Sequence, residues 1–180
     1  TTRPLTSRFP GLANPAPASD GRRLAASLKL PDRNWAVALF SLEGDLLQVI
    51  ASPGDEKWAQ PAWNKNDLYF IAELQGGYRL ARFRNPEGVV EVAAERSLPT
   101  LRHFSFSRDG KDLIFTAITD RGYEVGRRPL AGIAWVATAA RIEAPTPAGD
   151  ESASPAWDHP YRPWRDLLPH GWTPSLRQVE

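Results

Sequence analysis

The sequence predicts an all-β chain: a partial, open β-propeller of about three four-stranded blades, followed by an extended Pro-rich C-terminal strap. Three observations predict it. A turn-centred unit recurs, as Pro15 to Leu24, Pro61 to Leu68 and Phe104 to Phe115. Its copies begin at Pro15, Pro61 and Phe104, a period of about 45 residues, and repeats of that length with four short strands each mark propeller blades. A second marker keeps step: Trp35, Tyr78 and Tyr123 each follow, at nearly constant offset, the strand leucines Leu24, Leu68 and Leu113.

Local chemistry accounts for the elements in order. Residues 1–13 read as the tail of a preceding blade, with 3–6 as its last strand. Blade one has strands at 13–17, 23–28, 35–42 and 46–51, and Gly44 separates the last two. Its first turn is Ser19-Asp20-Gly21, where glycine takes positive φ without strain and aspartate accepts from a nearby backbone N–H. Blade two has strands at 59–63, 67–74, 78–84 and 89–93. Its turn, Asn64-Lys65-Asn66-Asp67, lacks glycine, and asparagine is expected to supply the left-handed conformation. In Asn85-Pro86-Glu87-Gly88 the proline presets φ and the glycine closes the turn. Blade three has strands at 102–107, 112–118, 123–129 and 134–139, with Asp109-Gly110 repeating the turn of blade one.

The second strands are apolar on both faces, as in Leu68-Tyr69-Phe70-Ile71-Ala72, so both sides of each sheet need cover. Stacked blades supply it. Glu91 and Arg127-Arg128 place charge on the later strands, which suits outer edges guarded against pairing. Three blades fall short of the 4–8 of a closed ring. Two apolar end faces are therefore expected, one before residue 14 and one beyond blade three. Residues 1–140 form the blade region; 141–180, rich in Pro, Ala and acidic residues and then in aromatics, form a linker and strap.

Composition narrows the function. Twenty-two Lys and Arg balance 21 Asp and Glu, a net charge of +1, which gives no support for nucleic-acid binding. With 42% hydrophobic residues the chain is not disordered as a whole, yet no apolar run reaches the length of a membrane-spanning helix. Cysteine is absent, so disulfides and thiolate metal sites are excluded. Methionine is absent too, and the chain reads as a piece excised from a longer protein.

The repeats at 14–24, 60–68 and 103–113 resemble the TolB-like propeller family, whose pattern is Pro-Ala/Trp-Ser-Pro-Asp-Gly followed by an apolar strand. They depart from it at the usual second proline, here Ser19, Lys65 and Arg108. The tail Tyr161-Arg-Pro-Trp-Arg-Asp-Leu-Leu-Pro-His-Gly-Trp172-Thr-Pro174 resembles the junction that joins such propellers to an outer-membrane β-barrel of the bacterial surface-antigen type. The resemblance implies a non-catalytic interaction or scaffold domain in the periplasm, associated with the outer membrane. Its partners would be protein: the missing blades and a barrel in the same parent chain. On the assumed topology, a partner would meet the axial end of the inner strands near Trp58, Arg102 and His103.

No cofactor, metal or catalytic residue is assigned. The three histidines, His103, His159 and His170, lack helical metal spacing, and no Gly-x-Ser-x-Gly, phosphate loop or dinucleotide fingerprint is present. Asp55-Glu56 and Asp150-Glu151 read as solvated loop charge, and Trp58 and Trp63 read first as blade packing. The alternative is the regulatory propeller of a prolyl-oligopeptidase-like serine hydrolase, with its catalytic domain outside this chain. The sequence following Glu180 in the parent gene discriminates: amphipathic strands of about ten residues mean a barrel, a Gly-x-Ser-x-Gly motif a hydrolase.

Overall fold

The computed structural model describes residues 9, 11–31, 34–74, 77–84, 87–94, 98 and 101–144. The chain divides into two compact units, Thr1–Ala148 and Gly149–Glu180, and every described residue belongs to the first. The expected strand at 3–6 and the aromatic strap lie outside the described residues.

Three consecutive antiparallel meanders build the fold. The first runs β1 (Leu12–Pro17), β2 (Arg23–Lys29), β3 (Trp35–Ser41) and β4 (Leu46–Ala51). The second runs β5 (Trp58–Asn64), β6 (Asp67–Leu74), β7 (Gly77–Arg84) and β8 (Val89–Ala93). The third runs β9 (Leu101–Phe106), β10 (Asp112–Thr119) and β11 (Gly122–Pro129). Among the described residues there is no α-helix, only a single 3-10 turn at Leu130–Gly132. The sheets pack face to face in chain order and do not close: the chain is an open, partial propeller.

The repeat register holds at the level of pairing. Pro17 faces Leu24, Trp63 faces Leu68 and Phe106 faces Leu113, so the three leucines occupy one position in successive sheets. Leu68 and Leu113 are buried, and Leu24 is half-buried against the outer cluster of the first sheet. The two Asp-Gly turns are copies. Gly21 and Gly110 have φ of +62° and +71°, and Asp20 and Asp109 accept from the N–H of Arg22 and Lys111 at 2.9 and 3.1 Å. In the middle turn Lys65, rather than an asparagine, takes the left-handed conformation (φ +55°). Asn64 instead faces Asp67 across the ladder and sends its Nδ2 to Gly110 O in the next sheet, 2.9 Å away.

Each first strand also carries a bulge, where the register slips between Ala13 and Ala16, between Ala59 and Ala62, and beside Leu101. Asn14 and Gln60 reach φ of +51° and +57° there. A buried serine ties two of these bulges together. The Gln60 N–H donates to Ser27 Oγ at 2.9 Å, and the Ser27 hydroxyl donates to Asn14 Oδ1 at 3.3 Å.

Apolar layers fill the spaces between sheets. Val37, Leu39 and Ile50 of the first sheet meet Trp58, Leu68 and Phe70 of the second. Tyr69, Ile71 and Leu80 on the other side of the second sheet meet Leu101 and Leu113 of the third. Both faces of β6 are thus covered, as its two-sided apolarity requires. The expectation of a bare face before residue 14 does not hold. Ala26, Ala36, Ala38 and Phe40 on that side of the first sheet are buried, and Phe9 stacks edge-on against Phe40 at 5.2 Å.

The last segment departs from the expected plan. The fourth strand of blade three, expected at 134–139, forms as β12 (Trp135–Thr138) but pairs with β8 of the second sheet. Trp135 is the anchor: it packs 5.9 Å from Tyr69 and beneath the Arg82 guanidinium at 4.3 Å, while Ile133 is buried between the second and third sheets. The chain then adds β13 (Arg141–Glu143), within the region expected to be linker, to β4 of the first sheet. Sheets one and two therefore have five strands each and sheet three has three. β8 is not an outer edge, and Glu91 does not guard one. It forms a half-buried ion pair with Arg82 at 2.7 Å.

Candidate interaction site

Two surfaces on the third sheet stand out. The first is a groove of about 460 Å³ between the leading hairpins of sheets two and three. Trp63, Phe104 and Phe106 give it an apolar wall, Ser105 and Ser107 line it, and the exposed Lys65 and Arg108 flank its rim. The turn chemistry of both repeats shapes it, because Asn64 clamps Gly110 across the groove. The Ser107 hydroxyl and the Lys111 N–H hold the Asp109 carboxyl below the usual aspartate range. The Arg22 N–H does the same for Asp20, with help from the Arg23 guanidinium. These aspartates are turn formers.

The second surface is the outward face and free edge of sheet three. Ile118, Tyr123 and Val125 lie there, with Tyr123 74% and Val125 79% exposed. Pairing shows what these positions are. Val37 faces Ser27, Leu80 faces Ile71 and Val125 faces Thr116, at one place in three successive sheets. Val37 and Leu80 are fully buried against the next sheet; Val125 is bare. Arg82 and Arg127 are likewise equivalent, facing Tyr69 and Ile114. Arg127 pairs with Asp112 at 2.7 Å, which raises the arginine pKa further.

The residues singled out from the sequence do not share one surface. Trp58 is fully buried at the start of β5, 5.4 Å from Phe70, and its indole Nε1 meets no acceptor among the described residues. It is a core residue and touches no solvent, and its equivalent in the third sheet is the buried Leu101. Arg102 and His103 are exposed on β9. Arg102 lies 5.3 Å over Tyr78, and His103 faces Thr116. The bare face expected beyond blade three is this outward face of sheet three, with Ile118, Tyr123 and Val125 on it, although the sequence does not single out Val125. In the sequence Tyr123 is a repeat aromatic, and the charged Glu124, Arg127 and Arg128 around Val125 are the local signal that β11 is largely exposed.

Among the described residues no helix is long and apolar enough to cross a membrane. Nor do three or more His, Cys, Asp or Glu side chains gather into a metal-holding group. No family model matches the chain, and no curated protein matches it significantly. Among solved structures it is similar to dihydro-heme d1 dehydrogenase NirN in complex with DHE. The TM-score is 0.48 at 23% identity, over 71% of this chain and 27% of that one.

Proposed function

We propose that this chain is a non-catalytic protein-interaction segment of a TolB-like propeller. On this reading it works in the bacterial periplasm as part of an outer-membrane-associated protein. The observation that carries the interaction role is the bare Val125, whose equivalents Val37 and Leu80 are wholly buried against a neighbouring sheet. A position built for burial and left exposed is what a docking face presents, since exposed contiguous apolar surface marks interaction sites. The location is supported by the tail at 161–174, which resembles a propeller-to-barrel junction.

Cell fractionation tests the location. An antibody raised against the chain should find it with the outer membrane, sheltered from protease in intact cells. Recovery in the cytosolic fraction would overturn the reading. The hydrolase-associated alternative predicts a Gly-x-Ser-x-Gly motif in the coding sequence beyond residue 180.

A further inference from the structure

We infer that the outer edge of β11 is an acceptor for an extended peptide segment that adds antiparallel, carrying an acidic residue opposite Arg127 between apolar neighbours. This deepens the interaction reading, because it names the chemistry of the partner at that face.

The backbone phase comes first. Leu130 N–H donates to Lys111 O at 2.9 Å, one step beyond the Asp112–Pro129 pair. Bonded and non-bonded pairs alternate along an antiparallel ladder. The N–H and C=O of Glu124, Gly126 and Arg128 therefore face β10, and those of Tyr123, Val125 and Arg127 face outward. Among the described residues no strand pairs with that edge. In the equivalent place on the other sheets a fourth strand is present: β4 beside β3, and β8 beside β7.

Side-chain chemistry follows from the same equivalence. β8 sets Glu91 opposite Arg82 with an ion pair of 2.7 Å, and flanks it with Val90 and Val92, both buried. Arg127 is the counterpart of Arg82. Its side chain is 73% exposed, and its five donors can serve an incoming carboxylate beside Asp112. A strand like β8 would extend the sheet alongside Val125 and supply the acid opposite Arg127, its valines falling on the face of Gly126 and Arg128. The chain's own expected candidate, β12, is engaged on β8.

A second copy fits less well. Self-pairing of β11 must join outward-facing residues with one another, so it sets Arg127 opposite Tyr123 or Val125, never an acid. Strand addition of this kind draws affinity from backbone bonds and specificity from alternate side chains.

The test uses the full 180-residue chain and a synthetic peptide copying residues 87–94, Glu-Gly-Val-Val-Glu-Val-Ala-Ala, with its central glutamate as the probe group. Fluorescence titration should show this peptide binding about fivefold tighter than the version with lysine at that glutamate. Arg127→Glu should reverse the preference. Val125→Pro should weaken binding of the glutamate peptide about tenfold, since proline removes an outward N–H and no bond to β10. A melting curve confirms that each variant folds, and Arg127→Glu carries the test if the proline variant does not.

Equal affinity for both peptides, or no binding at millimolar peptide, overturns the inference. So does concentration-dependent dimerisation that Val125→Pro abolishes and the peptide does not compete, which would assign the edge to a second copy. None of these results bears on where the chain fractionates.

Discussion

Ser27 offers the sharpest test of how the sheets are joined. It is fully buried and stands where the other sheets have Ile71 and Thr116, so Ile71 shows that the position itself does not require a hydroxyl. Replacing it with alanine removes the acceptor of the Gln60 N–H, bonded at 2.9 Å, and the donor to Asn14 Oδ1 at 3.3 Å. Asn14 is exposed, so its oxygen turns to water at little cost. Gln60 has no such freedom, because its bulge holds φ at +57° and directs the N–H into the interface. Leaving a buried donor unpaired costs about 1–3 kcal/mol, so a loss near 2 kcal/mol is expected for Ser27→Ala. In a domain of this size that lowers the melting temperature by about 4–8 °C. Asn14→Gly keeps the left-handed backbone and should cost less than about 1 kcal/mol. The assay is thermal and urea unfolding of both variants beside the parent. A Ser27→Ala protein within about 0.5 kcal/mol of the parent would refute the bridge as an element of stability.

Three further predictions follow from the same contacts. Gly21→Ala should cost about 1–2 kcal/mol from its positive φ alone, as open space surrounds it; Gly110→Ala should cost more, because a side chain there meets the Asn64 carboxamide, and urea midpoints will rank the two. Trp58→Ala should cost about 3–5 kcal/mol, whereas Trp58→Phe should cost under about 2, since the indole N–H has no acceptor among the described residues; a phenylalanine variant as unstable as the alanine one would contradict that. Acid should destabilise the chain through Asp20, Asp109 and Glu56, whose carboxyls are held below their usual values by the Arg22 N–H, the Ser107 hydroxyl and the Ser52 hydroxyl. Their folded pKa values lie below the unfolded ones, so this stabilisation is present above about pH 4 and disappears as pH falls through the lowered values; Asp109→Asn should flatten the melting-temperature profile on that acid side.

Much of the fold was legible because its causes are local. Asp20-Gly21 and Asp109-Gly110 specify their turns within a few residues, and the paired registers at Leu24, Leu68 and Leu113 follow from turn length and side-chain alternation. The middle turn was legible as a turn only: Lys65 takes the positive φ because Asn64 is already committed to the ladder and to Gly110. The site was less legible. On the assumed topology Trp58, Arg102 and His103 share an axial end, but Trp58 holds the inward position of Leu101, whereas Arg102 and His103 lie at and just beyond a bulge and face water.

The sequence by itself determined the strands, the turns and the three-sheet repeat, because periodicity and turn chemistry act over short stretches. Tertiary structure alone decided which edge the late strands join. Backbone ladders are nearly indifferent to sequence, so Trp135–Thr138 and Arg141–Glu143 could pair with any exposed edge of matching length. The choice fell to packing: Trp135 seats on Tyr69 and Arg82, cross-strand partners in the second sheet, and the preceding Ile133 is buried where the second and third sheets stack. That same choice leaves β11 with an open edge and Val125 in water.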